Sequence, residues 1–239
     1  MPRTIFLVPG LWEGPGSYEP LVSSLKKIGF NTFVSSLKST GTRSPANPTL
    51  KDDIAGIHED LEKVVDEAGA EGVILFLHSA GGFIGSNAME GLAASTRKSA
   101  GKAGGVVKII FFSAGLAPEG SDTFGGPFIL NQDDGSCVCV DSVDSLFHDL
   151  PAAEAAAWQA KMDVQPLIET WKGTITYCGW KDVSSTYIIC EEDRLLPIPV
   201  QEAMAAMAGS KVVRLACGHM GHISATDDLA EVIKRETDS

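Results

Sequence analysis

Basic residues are scarce in this 239-residue chain, where 19 Lys and Arg stand against 31 Asp and Glu and the formal net charge is −12. Nucleic acids and anionic membrane surfaces are gripped through clustered Lys and Arg, so neither is an expected partner. The acidic balance serves solubility and identifies no substrate. Long apolar runs are also missing. None reaches the roughly 20 residues that a bilayer span needs. The run Thr4-Ile5-Phe6-Leu7-Val8 is too short for a signal h-region and stops at Pro9-Gly10, so it is read as a buried strand. Cysteines number five, at 137, 139, 178, 190 and 217, an odd and scattered set without metal-ligand spacing. That pattern predicts reduced thiols, no bound metal and a cytoplasmic location.

What is present is an alternation. Apolar runs at 4–8, 31–35, 72–77, 106–112, 184–190 and 211–215 predict strands, several without polar alternation, as in parallel strands buried on both faces. Between them lie helical periods at 18–28, 50–68, 83–92, 199–207 and 225–235. Gly29 and Gly69 sit where the first two should end. Strands alternating with helices predict an α/β class, a doubly wound and mostly parallel sheet. From 118 to 182 the rhythm fails. A Gly/Asp-rich stretch and short helical pieces such as 151–162 predict a cap or lid inserted into a core made of 1–117 and 183–239.

The chemistry starts at Leu75-Phe76-Leu77-His78-Ser79-Ala80-Gly81-Gly82. An apolar strand ending at a serine, followed by small residues and a helix, reads as a nucleophile elbow with Ser79 at its tip. Leu77 stands where the G-x-S-x-G pattern has glycine. A serine that attacks an acyl carbon needs a base, a group to orient that base, and donors for the oxyanion. In open α/β sheets such groups gather beyond the carboxyl ends of the strands. His219, in Cys217-Gly218-His219-Met220-Gly221-His222 after the last strand, is the candidate base, with His222 as alternative. His58 reads as a solvated helix position, and His148 falls in the insertion. Asp193, directly after the strand at 184–190, is the candidate acid. The other position open to the acid reads Ser113-Ala114-Gly115, without a carboxylate; Asp182 and Asp227 are weaker alternatives. Ala80 N–H and Leu11 N–H are the expected oxyanion donors, Trp12 N–H replacing Leu11 as alternative. Trp12, His78, Phe124, Phe128 and Trp158 are the expected substrate contacts, with Trp171 a further candidate.

Leu7-Val8-Pro9-Gly10-Leu11-Trp12, His78-Ser79-Ala80-Gly81-Gly82, the stretch from Tyr187 to Pro197 and Gly218-His219 together resemble the single-domain α/β-hydrolases. The resemblance is strongest to the branch of plant methylesterases, hydroxynitrile lyases and small esterases. It implies the α/β-hydrolase fold, a triad of Ser79, Asp193 and His219, and an oxyanion hole from Leu11 and Ala80. Cyanohydrin-cleaving relatives carry lysine after the histidine; Met220 stands here, which disfavours that reaction. The expectation is a serine hydrolase acting on a small-molecule ester or lactone through an acyl-enzyme, with no cofactor. The alternatives are a ligand receptor on a hydrolase scaffold, and a carbon–carbon hydrolase or lyase using the same triad. The sequence sets no oligomeric state.

Overall fold

The computed structural model describes residues 3–238. The core opens with β1 (Thr4–Val8), α1 (Glu19–Lys27), β2 (Asn31–Val34), α2 (Leu50–Ala68), β3 (Val73–His78), α3 (Gly81–Ala88), α4 (Ala94–Ser99) and β4 (Val106–Phe112). The insertion carries β5 (Ile129–Asn131), β6 (Ser136–Cys139), α5 (Ser142–Leu146), α6 (Ala152–Gln159) and β7 (Gln165–Pro166). The core closes with β8 (Ser185–Cys190), α7 (Ile198–Ala208), β9 (Lys211–Leu215), α8 (Gly221–Ser224) and α9 (Thr226–Asp238). The main sheet has six strands in the order β2-β1-β3-β4-β8-β9, every pairing parallel.

Why these runs make this sheet is visible in the pleat. Successive side chains point to opposite faces. Phe6, Val8, Leu75, Leu77, Ile109, Phe111, Tyr187 and Ile189 enter one apolar cluster with residues of α2 and α3. Their neighbours Ile5, Leu7, Ile74, Phe76, Ile110, Phe112, Ile188 and Cys190 enter a second, with residues of α1 and α9. Both faces are covered, so the strands carry no polar alternation. Helix α2 starts at a reciprocal capping box: Asp52 N–H donates to Thr49 Oγ1 at 3.3 Å and Thr49 N–H to Asp52 Oδ2 at 2.8 Å.

Departures from expectation are local. The first helix enters through a 3-10 turn at Pro15–Tyr18, and a short helix that the periodicity does not predict, α4, precedes β4. His58 is half-buried, and its Nδ1 lies 2.7 Å from the Ala88 carbonyl oxygen, so it joins α2 to α3 instead of facing solvent. The insertion holds an antiparallel sheet, ordered β5-β6-β7, that the sequence does not announce. Its strands are two to four residues long, too short for a period to register. All five cysteines are free and buried, and no described helix is long and apolar enough to cross a membrane.

Candidate active site

The elbow forms because nothing bulky stands in its way. Ser79 has φ +51°, a left-handed conformation that costs a non-glycine residue about 1–3 kcal/mol. A Cβ on Gly81 would lie 2.5 Å from the Val8 carbonyl oxygen, and one on Gly82 2.3 Å from that of Gly115. The helix can therefore press against the loops after β1 and β4 only with glycine at both positions. Leu77, the departure from the motif, is housed by a compensating glycine: a Cβ on Gly85 would meet Leu77 Cδ2 at 2.4 Å. Two further non-glycine residues with positive φ, Trp12 (+66°) and Ser113 (+38°), follow β1 and β4. Backbone strain is thus gathered at the carboxyl ends of three adjacent strands, around Ser79.

Asp193 and His219 are brought together. Asp193 Oδ2 lies 2.7 Å from His219 Nδ1, and its Oδ1 accepts the N–H groups of Leu195 at 2.7 Å and Leu196 at 2.8 Å. Ser113 Oγ donates to Oδ2 of Asp193 as well, and sits 3.3 Å from His219 Nδ1. Ser113 is the residue that sequence reasoning passed over. It occupies the other acid position and supplies a hydroxyl to the acid that took its place. Burial pushes the Asp193 carboxyl up, but the charge and hydrogen bond of His219, with Ser113 and Leu196, hold it below the ordinary carboxylate value. Burial pulls His219 down, while Asp193 and then Glu13 outweigh it and raise the imidazole above its ordinary value.

The base-bearing loop lies against the elbow. His78, next to Ser79, has Nε2 3.0 Å from the His219 carbonyl oxygen, and the two rings are 4.8 Å apart. Ser79 Oγ is hydrogen-bonded to none of the described residues, His219 included. Apo hydrogen bonds of this kind commonly close only when substrate is bound.

Ser79, Leu11 and Ala80 all line one cavity of about 700 Å³. Trp12, Phe124, Phe128 and Trp171 line it too, joined by Phe83, Leu116 and Met204. Phe83 and Phe124 stack at 4.7 Å, and the Trp171 indole is fixed by donating to Asp53 Oδ2 at 2.6 Å. With the Gln165 amide turned so that both its atoms are satisfied, its oxygen accepts from Trp12 N–H at 3.2 Å.

Two expected substrate contacts lie elsewhere. His78 is completely buried and does not line this cavity, because its ring turns under the elbow toward Glu13 and Tyr18. Trp158 lines a separate cavity of about 250 Å³, which also has Trp12 in its wall, and Lys161 Nζ sits 4.1 Å from its ring centroid. His222, the alternative base, is buried and stacked on Tyr18 at 4.4 Å, away from Asp193's hydrogen bonds. Glu13, His78 and His222 place donor atoms within 4.8 Å of one another. The Glu13 oxygens face His78 and the Tyr18 hydroxyl, whereas both ring nitrogens of His222 are buried without a hydrogen-bond partner among the described residues.

A family profile described as "Alpha/beta hydrolase family" matches residues 5–232. The chain belongs to the alpha/beta hydrolase family. It is similar to "Alpha/beta hydrolase nvfD" of Aspergillus novofumigatus, 28% identical over 241 aligned positions that cover 96% of this chain and 94% of that protein. Among solved structures, polyneuridine aldehyde esterase superposes with a TM-score of 0.74 at 18% identity, over 99% of this chain and 100% of that one. Tomato methylketone synthase I, complexed with 2-tridecanone, gives a TM-score of 0.75 at 15% identity, over 100% and 98%. The two solved structures share the predicted sheet and flanking helices.

Proposed function

We propose that this hydrolase cleaves a carboxylic ester or lactone through an acyl-enzyme on Ser79. One observation supports the reading most: a serine on a strained elbow opens onto a large cavity, its neighbour His78 lies 3.0 Å from the carbonyl oxygen of His219, and that imidazole is paired with Asp193 at 2.7 Å. In the first half-reaction Ser79 Oγ attacks the carbonyl carbon while His219 Nε2 takes its proton. The oxyanion is met by the N–H groups of Leu11 and Ala80. The tetrahedral adduct expels the alkoxide, which leaves as the alcohol with the proton from His219. Water then attacks the acyl-enzyme, gives a proton to His219, and releases the acid and free Ser79. Asp193 holds Nδ1–H throughout, so Nε2 is the nitrogen free to accept.

The lining narrows the substrate class. Phe83, Phe124, Phe128, Trp171, Leu116 and Met204 favour a bulky apolar group, and Arg194, the one charged residue among the described lining residues, is paired with Asp144. A neutral ester or lactone with a large hydrocarbon part fits such a wall. The fold leaves the reaction type open, since esterases and a methylketone synthase share it. The test is a panel of p-nitrophenyl esters of increasing chain length, plus lactones, on wild type and Ser79→Ala, with fluorophosphonate labelling read by mass. Turnover lost in Ser79→Ala and an adduct on Ser79 are expected. An active wild type whose mass is unchanged would refute the acyl-enzyme. Equally tight binding to both proteins with no product would make the chain a receptor.

A further inference from the structure

Beneath the elbow lies a second carboxylate–imidazole pair that the hydrolytic steps leave unused. Glu13 is 4% exposed, and Tyr18, His78 and His222 are not exposed at all. Glu13 Oε1 is 2.9 Å from His78 Nδ1, and Tyr18 donates its hydroxyl proton to Glu13 Oε2 at 2.7 Å. On the far side of the ring, His78 Nε2 faces the His219 carbonyl oxygen at 3.0 Å. Both nitrogens of His78 therefore face acceptors. A neutral imidazole owns one N–H and would oppose a lone pair to an oxygen at the other nitrogen. Tyr18 Oη is also 3.2 Å from Nδ1, but its single proton is already given, at the shorter distance, to Glu13. The arrangement calls for an imidazolium with Glu13 as its counter-ion.

We propose that Glu13 and His78 form a buried ion pair that positions the base, His78 donating from Nε2 to the carbonyl of His219 and so fixing where that imidazole stands. The proposal rests on reading His219 as the base. Three parts of the site meet in this one pair. Glu13 belongs to the loop that carries Leu11, His78 precedes Ser79, and His219 is the residue being held. The packing is tight at the meeting point: a Cβ on Gly10 would lie 2.7 Å from Glu13 Oε1 and 2.6 Å from Ser79 Cβ. The groups facing His78 are Glu13, Tyr18, His219, His222 and the Phe112 ring, 5.5 Å away. His222 brings no competing charge, because burial and the charge of His78 push it down to about 3. Glu13 is held anionic: burial works against its charge, but His78, His222 and the Tyr18 hydroxyl together outweigh burial and take the carboxyl down to about 2. A charged pair buried without exchange of partners is a fixed strut, and sub-ångström placement of a base is worth on the order of a hundredfold in rate.

Two amide substitutions separate positioning from packing. Gln Nε2 reaches the place of His Nε2, so His78→Gln keeps a donor for the His219 carbonyl. Asn Nδ2 reaches the place of His Nδ1, so His78→Asn keeps the Glu13 contact and abandons His219. Both lose the charge, and similar drops in Tm are expected. On p-nitrophenyl butyrate, His78→Asn should lose about a hundredfold in kcat with KM within about twofold, while His78→Gln recovers most of that loss. Equal losses in the two variants overturn the proposal. Histidine-labelled 15N NMR reads the pair without turnover. His78 should carry protons on both nitrogens in wild type and on one in Glu13→Gln, and the His219 Nδ1–H signal should persist in His78→Gln and vanish in His78→Asn. A neutral His78 in wild type, or an unaffected His219 signal in His78→Asn, sinks the idea. If the wild type hydrolyses nothing while the NMR pattern holds, the ester reading fails and the strut stands.

Discussion

Replacing Asp193 by asparagine would invert the base, and the structure says which way. The two oxygens of Asp193 are not equivalent. Oδ1 accepts two backbone N–H groups, from Leu195 at 2.7 Å and Leu196 at 2.8 Å, whereas Oδ2 faces His219 Nδ1 at 2.7 Å and the Ser113 hydroxyl. In Asp193→Asn the amide oxygen must take the Oδ1 place. The reverse orientation would aim an NH2 at two N–H donors, each left unsatisfied at about 1–3 kcal/mol. The amide nitrogen then sits at the Oδ2 place and donates to Nδ1 of His219, with Ser113 turning to accept. His219 is driven to the tautomer protonated on Nε2, the nitrogen that should receive the Ser79 proton. Losing base function this way is worth about 10⁴ in kcat, or roughly 5.5 kcal/mol. Tm should change little, because the loop bonds at Oδ1 survive. The assays are kcat/KM on a p-nitrophenyl ester and the rate of fluorophosphonate labelling of Ser79. A variant that retains more than about a tenth of wild-type activity, correctly folded, would refute the assignment of Asp193 as the orienting acid.

Four further outcomes follow from the same geometry. Because His219 is raised above its ordinary value by Asp193 and Glu13 and must be neutral to act, kcat/KM should fall on the acid side with a midpoint above about 6.5; a midpoint below that value contradicts it. Glu13, lowered from 4.5 to about 2, contributes stability that is whole above 4.5 and lost as pH falls toward 2. Tm measured across that interval should therefore drop more steeply in wild type than in Glu13→Gln, and parallel curves would contradict the buried anion. Ala117→Phe, on the cavity wall, should shift the preferred p-nitrophenyl ester toward shorter acyl chains, whereas an unchanged profile would place the acyl group elsewhere. Finally, Gly85→Ala should cost about 1–3 kcal/mol by overpacking against Leu77, and a Leu77→Gly background should remove most of that cost in denaturant unfolding; strict additivity would show that the two do not share the space.

How much of this could be read before folding depends on how far apart the partners lie in the chain. The sheet was legible because each strand declares itself locally: Val73 to His78 is apolar at nearly every position, since both faces are covered. The elbow was legible for the same reason, a strand, a serine and two glycines in one short stretch. The order Ser79, Asp193, His219 could be followed from strand end to strand end. What escaped was every residue whose meaning arises only across strands. Ser113 looked like an empty acid position, and its hydroxyl acquires a role only when Asp193, arriving on β8, is set beside it by the pairing of β4 with β8. Nothing near Glu13 in the sequence marks it, because its partner is His78, two helices and two strands later. His78 itself was misplaced for a related reason. Adjacency to the nucleophile suggested the substrate side, but successive residues of a strand point to opposite sides, so a serine at the cavity sends its neighbour beneath it. The rule that separates inside from outside along β3 thus also separates the group facing the cavity from the group supporting it, and an acidic partner for that supporting histidine is the signal a sequence reader could have sought.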